Sequence, residues 1–291
     1  MAAKATPVTA LLETCKDACD EITELVEAVY AQLAKEPGAA VLKADKSFFS
    51  LADGVVQAML MRLLSARVGA IVGEEDEAAI SIEGDGPFRA SDDVQAPAAL
   101  EPLIVKLRGR MDALASAVEA SPALEGLTAF IDPIDGTKEF CSGLGEQCSI
   151  CVGFADAATG MAVGGLVYRP LCAQRSWALG CKREGVSKGA LRELAAAEGA
   201  GGKGAFLCSN GGTSPFLQAL LAELGYTPYP AGGAGNKALL LLELPSACYI
   251  QDRGVSRWDT CAAQVWAISL SRSLLIASDA FGCLLSASDG F

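Results

Sequence analysis

An apolar run ending in Phe130-Ile131-Asp132-Pro133-Ile134-Asp135-Gly136-Thr137-Lys138-Glu139-Phe140 constrains this chain more than any other stretch. Two carboxylates stand three residues apart, and the proline between them fixes φ at about −65° and removes one backbone donor. Gly136 admits a conformation that a residue with a Cβ resists. The stretch asks for a buried strand followed by a stiff loop. That loop aims Asp132, the Ile134 carbonyl and Asp135 at one point, with the Thr137 hydroxyl just beyond. Converging hard oxygen atoms are what Mg²⁺ requires. The competing reading is an acidic surface turn, because Asp and Gly are common turn residues.

Composition narrows the chemistry. The 291 residues are 51% hydrophobic, enough for a large core in one big domain or two lobes. With 35 acids against 23 bases the net charge is −12. Its long-range field repels polyanions, so a nucleic-acid polymer or an anionic membrane is not an expected partner. A small phosphorylated substrate remains compatible where metal ions reverse the local field. The chain has no His, which excludes imidazole-based zinc sites and Ser-His-Asp or Cys-His catalysis. Acid–base work falls to carboxylates, hydroxyls, Lys or water held by a metal. Eleven Cys, an odd number, read as reduced thiols of a cytoplasmic protein. Cys148 and Cys151 are formally C-x-x-C but lie in an apolar run, which favours a buried strand pair. Acids from Glu13 onward argue against an export or transit segment, and no apolar run approaches the ~20 residues that span a bilayer.

Apolar spacing predicts a helix over 8–34 and a second one beginning after Ser47–Ser50. Val68–Val72 reads as a short buried strand ending at Gly73-Glu74-Glu75-Asp76. Residues 77–97 read as a long loop, and helical spacing resumes from Leu100 to Val118. Ser149–Phe154 and Met161–Tyr168 form a hairpin around Asp156–Gly160, continued by Trp177–Leu179. Residues 184–204 read as a flexible surface connection. Strands at Ala205–Cys208, Thr227–Tyr229, Ala247–Ile250 and Leu274–Ala277 then alternate with helices at Ser214–Leu224, Lys237–Leu244 and Asp259–Leu270. Such alternation predicts a second layer of βα units. The glycine turn Gly232–Gly235, between a strand and a helix, suggests backbone N–H groups meeting an anionic ligand. Two lobes are expected, 1–165 and 166–291.

Two further acidic segments follow apolar strands: Gly73-Glu74-Glu75-Asp76 and Ser256-Arg257-Trp258-Asp259-Thr260-Cys261-Ala262-Ala263. Each alone fits a solvated turn or a helix N-cap. Joined to Lys43-Ala44-Asp45-Lys46-Ser47-Phe48-Phe49-Ser50-Leu51-Ala52-Asp53 and to the Asp132–Thr137 motif, the set resembles the inositol monophosphatase-like superfamily of Mg²⁺-dependent, lithium-sensitive phosphatases. With Ala231-Gly232-Gly233-Ala234-Gly235-Asn236-Lys237 it is similar to the 3′(2′),5′-bisphosphate nucleotidase branch. The resemblance implies a mixed α/β, layered αβαβα sugar-phosphatase-like fold. It implies metal ligation of two or three Mg²⁺ by Glu74, Asp132, the Ile134 carbonyl, Asp135 and Asp259. Asp53 and Thr137 would position and deprotonate the attacking water, and Gly136, Ser209, Gly233 and Lys237 would meet the substrate.

The implied reaction removes the 3′-phosphate of adenosine 3′,5′-bisphosphate to leave AMP. An inositol polyphosphate 1-phosphatase or inositol monophosphatase is the alternative, and a non-catalytic phosphometabolite-binding protein the rival of another class. Ser209-Asn210-Gly211-Gly212-Thr213 departs from the Arg-Ser-His-type sequence usual in the nucleotidase branch, which bears on the nucleotide contacts. Related proteins also generally continue through another strand and helix after a segment like Leu274–Ala277, which bears on the second lobe.

Overall fold

Ten buried side chains along one face make the first helix, α1 (Pro7–Leu33), an amphipathic cover for a sheet; Leu11, Cys15, Ile22, Val26 and Val29 are among them. The computed structural model describes residues 5–33, 41–84, 86–91, 94–182, 184–194, 203–244, 246–251, 254–269 and 273–276, with side chains outside 41–50, 90–91 and 266–276. Helix α2 (Val41–Leu64) follows. It starts well before the expected Ser47–Ser50 boundary, because residues 41–50 contain no Gly or Pro to stop it. Strand β1 (Ala70–Gly73) is short and half exposed rather than buried, since it forms a sheet edge. The expected loop over 77–97 contains a 3₁₀ turn at Glu77–Ala79 and a small hairpin of β2 (Arg89–Ser91) and β3 (Val94–Gln95). Helix α3 (Glu101–Ala117) and the single turn α4 (Pro122–Glu125) lead into β4 (Leu127–Asp135).

The next elements are the short α5 (Thr137–Cys141), β5 (Ser149–Asp156), β6 (Ala162–Arg169), β7 (Ser176–Cys181) and β8 (Gly185–Gly189). They complete a six-stranded sheet of order β1-β4-β5-β6-β7-β8. Only the β1–β4 pairing is parallel. Strand β8 occupies part of the stretch read as a flexible connection. Its edge position leaves it mostly exposed, so it carries no core pattern to read. The glycine-rich part of that connection, 195–202, lies outside the described residues, as do residues 277–291.

The second sheet comes from β9 (Gly204–Cys208), α6 (Pro215–Glu223), β10 (Tyr226–Pro230), α7 (Ala234–Glu243), β11 (Cys248–Gln251), α8 (Arg257–Ser269) and β12 (Ser273–Ile276). Its strand order is β10-β9-β11-β12, all parallel, as strict βα alternation requires. Helices α1 and α2 cover one face of the first sheet with α3 packed against both of them, α7 and α8 fill the space between the sheets, and α6 packs on β10. The layers run α-β-α-β-α, as the sequence led us to expect. The larger apolar core joins α1 and α2 to the face of the first sheet turned away from the second sheet; a second joins Val167 and Cys151 to Leu239, Leu241, Leu207 and Tyr249.

Helix α8 sits very close to the first sheet because a glycine lies beneath it. A Cβ on Gly165 would fall 1.9 Å from the Ala262 carbonyl oxygen. The small residues of Cys261-Ala262-Ala263 are therefore packing residues, and they bring the first turn of α8 down to the end of β4. The ten described cysteines are all free thiols, and Cys148 and Cys151 are both buried. No helix among the described residues is long and apolar enough to cross a membrane.

Candidate active site

Residues three apart on a regular strand point to opposite faces. Asp132 and Asp135 escape this because β4 carries an extra residue there: Asp132 pairs with Cys151 and Asp135 with Ser149, so a three-residue step faces a two-residue step. Pro133 suits such a bulge, since it has no N–H to leave unpaired. Both acids are buried, and Ile134 is buried between them. Gly136 follows with φ 96° and begins α5. Thr137 opens that helix at the surface, and among the described residues its hydroxyl has no partner.

Three other segments bring acids to the same place. Strand β1 runs beside β4, and the Glu74 amide donates to the Ile131 carbonyl at 3.1 Å, which sets Glu74 next to Asp132. Asp259 stands in the first turn of α8 and accepts from the Ser256 amide. One ligand oxygen each from Asp132, Asp135 and Asp259 lie within 4.8 Å of one another. Asp53, on α2, is fully buried, and neither of its oxygens has a hydrogen-bond partner. Asp132 Oδ1 is likewise orphaned.

Burial pushes the carboxyl of Asp132 well above its ordinary range, and the charges of Asp135, Glu74, Asp259 and Asp53 push it further. Burial also raises Asp53, with Glu75 and Glu74 adding to it. Glu74 and Asp259 are raised by burial too, although each is within hydrogen-bonding reach of Asp132. Two carboxylates bond to each other only with a proton or a cation between them. Orphaned, mutually repelling, desolvated oxygens of this kind fit a divalent cation, which satisfies them all at once.

Asp135 has a second task. Its Oδ1 accepts from the Ala234 amide at 2.8 Å, and its Oδ2 from the Gly235 amide at 2.7 Å and the Ser149 hydroxyl at 2.8 Å. The N-terminus of α7 is thereby filled by the protein's own carboxylate, which the helix dipole favours. This corrects the expectation that the Gly232–Gly235 amides are free for a ligand. The Gly232 amide is also taken, by Gln147 Oε1. Gly233, with φ 64°, is the residue before α7, so the helix starts three residues earlier than the Lys237 expected from the sequence.

Lys237 is buried; its Nζ lies 3.5 Å from the Ala231 carbonyl and 5.4 Å from the centre of the Tyr249 ring. Burial lowers its pKa, while Asp135, Glu139, Cys208 and Asp259 pull it back up. Ser209 is half-buried, and the bond found for it is a backbone one, from the Gly212 amide at 2.8 Å.

Several residues at the site escaped the sequence reading. Asn210 Nδ2 donates to Glu139 Oε1 at 2.8 Å and to Gln147 Oε1 at 3.0 Å, stitching the loop after β9 to α5 and to the turn before β5. Glu139 belongs to the Asp132–Phe140 motif itself, so its place was available as a signal. Gln57 lies one helical turn after Asp53, and that spacing was its only mark.

Residues 7–266 match the inositol monophosphatase family. The 3′(2′),5′-bisphosphate nucleotidase 1 of Mus musculus is 29% identical over 146 residues, 48% of this chain and 47% of that protein. The Golgi-resident adenosine 3′,5′-bisphosphate 3′-phosphatase of Homo sapiens is 28% identical over 149 residues, 47% of this chain and 38% of that protein. The chain thus spans about half the length of the curated relatives it matches. Among solved structures, inositol monophosphatase-II from Staphylococcus aureus MSSA476 superposes with a TM-score of 0.53 at 16% identity, over 96% of this chain and 85% of that one. SaIMPase-II with 2′AMP bound gives 0.52 at 17% identity, over 96% and 86%. These likenesses are of fold.

Proposed function

The chain belongs to the inositol monophosphatase family, and on that premise we propose that it is a Mg²⁺-dependent phosphomonoesterase that hydrolyses the 3′-phosphate of adenosine 3′,5′-bisphosphate to AMP and phosphate. The observation that carries the reading is the gathering of Asp132, Asp135 and Asp259 at the end of β4, with Asp132 Oδ1 and both Asp53 oxygens buried and without a partner. The two relatives named for a bisphosphonucleotide support the choice of substrate.

In this reading Glu74, Asp132, the Ile134 carbonyl, Asp135 and Asp259 hold two or three Mg²⁺. When bound, Mg²⁺ supplies the positive charge that makes water nucleophilic at neutral pH and that offsets charge growing on the departing oxygen. The remaining work belongs to the chain. Thr137 and Asp53 orient the water for in-line attack on phosphorus, and Asp53, whose burial raises its basicity, takes the water's proton. The P–O ester bond breaks, and the departing oxygen takes up a proton. Gly136, Gly233, Ser209 and Lys237 contact the substrate. The free thiols suit a reducing, cytoplasmic setting.

Phosphate release from adenosine 3′,5′-bisphosphate, AMP, inositol 1-phosphate and inositol 1,4-bisphosphate, each with Mg²⁺ or EDTA, tests the proposal. We expect Mg²⁺-dependent turnover with the bisphosphonucleotide preferred. Preference for an inositol phosphate overturns the substrate, and turnover in EDTA overturns the metal.

A further inference from the structure

Gln57 is 1% exposed and sits on α2 one turn after Asp53. Its side chain spends both functional groups on the backbone of one residue. Oε1 accepts from the Glu75 amide at 2.9 Å, and Nε2 donates to the Glu75 carbonyl at 2.8 Å. The carboxamide takes the part of a neighbouring strand just beyond the point where β1 ends. On the other side, the Glu74 amide is held by the Ile131 carbonyl. The turn is therefore gripped from two directions, leaving the Glu74 carboxyl facing Asp132. Gly73 makes the grip possible: a Cβ there would stand 2.3–2.6 Å from the Gln57 amide atoms.

We propose that Gln57 is a positioning residue that holds the Glu74–Glu75 turn so that the Glu74 carboxylate meets the divalent cation; this rests on the reading of Glu74 as a metal ligand. One helix then fixes two partners of the site, presenting Asp53 directly and Glu74 through the amide clamp. Without the clamp, the Glu75 amide and carbonyl turn to water, and each metal-binding event must order the turn again. Partners that orient a ligand in this way are worth about 10- to 100-fold in metal affinity.

The test uses the metal-free full chain and Mg²⁺ alone as the probe, titrated by calorimetry. Gln57→Met keeps the length and removes both bonds. Gly73→Ala leaves Gln57 in place but pushes its amide away. Glu74→Gln is the arm that tests the ligand itself. We expect Gln57→Met and Gly73→Ala each to weaken Mg²⁺ binding by about 10- to 100-fold, with faster hydrogen exchange at the Glu75 amide. Turnover should recover at saturating Mg²⁺, which a loss through misfolding would not allow. Weaker binding in Glu74→Gln with unchanged binding in the other two overturns the clamp and leaves the ligand reading standing. Unchanged binding in Glu74→Gln overturns that reading, and the clamp with it. Should Gln57→Met fail to fold, Gly73→Ala separates the same outcomes.

Discussion

Asp132 lies within hydrogen-bonding reach of both Glu74 and Asp259, and the charges of Asp135 and Asp53 press on it as well. Replacing it with Asn should act in opposite directions on function and stability. Asp132→Asn should lower turnover by at least about 100-fold, since even residues that only support a metal ligand cost 10- to 100-fold. In EDTA it should raise the melting temperature, because a repelling buried charge is gone. A thermal melt beside an activity assay checks both halves. A pH dependence follows from the same crowding. Asp53, Glu74, Asp132 and Asp259 all have folded pKa values above their ordinary ones. At these four groups the metal-free fold therefore binds more protons than the unfolded chain above about pH 4, and their contribution to stability falls as pH rises through the folded values. Melts in EDTA should be higher near pH 5 than near pH 8, and saturating Mg²⁺ should shrink the difference. The acids were readable because each stands in a short motif. Gln57, Gln147 and Asn210 were not, since an amide's partner depends on which backbone the fold brings alongside it.

The elements aim these residues, and two features of their packing do most of the aiming. The bulge in β4 turns both acids to one side, and α7 is fixed at both ends. Its first turn is tied to Asp135, and its last residue, Glu243, accepts from the fully buried Arg169 of β6 at 2.8 Å. Arg169 also donates to the Asn236 carbonyl at 3.0 Å, while Arg192 donates to the other Glu243 oxygen at 3.1 Å. Burial raises the Glu243 carboxyl, but Arg169 and Arg192 together hold it below its ordinary value. Glu243→Gln leaves a buried guanidinium uncompensated and should cost about 3–5 kcal/mol, seen as a lower urea midpoint with an unchanged m-value. At this scale the βα alternation after residue 204 was legible, because each strand and helix carries its own period. The start of α2, the exposed β1 and the edge strand β8 were not. Edges bury little on either face, and a helix can run through residues that commonly mark its start.

For the whole molecule, the proposed site, assembled from residues 53 to 259, would couple metal binding to folding, because the unfolded chain cannot bring these acids together. Mg²⁺ at a hundredfold over its dissociation constant should add about 2.7 kcal/mol to stability, visible as a higher melting temperature in Mg²⁺ than in EDTA; equal melting temperatures would contradict the coupling. The layered order of the two sheets could be anticipated from the family resemblance that the motifs carry, and the βα units of the second sheet from periodicity. How tightly α8 lies on the first sheet could not, because Gly165 acquires its meaning only when Ala262 is above it. The most direct test of the account is the anomalous scattering of Mn²⁺ soaked into crystals of the protein. Peaks among Glu74, Asp132, Asp135 and Asp259 are the predicted result. Acids turned away from one another, with no peak between them, would contradict it.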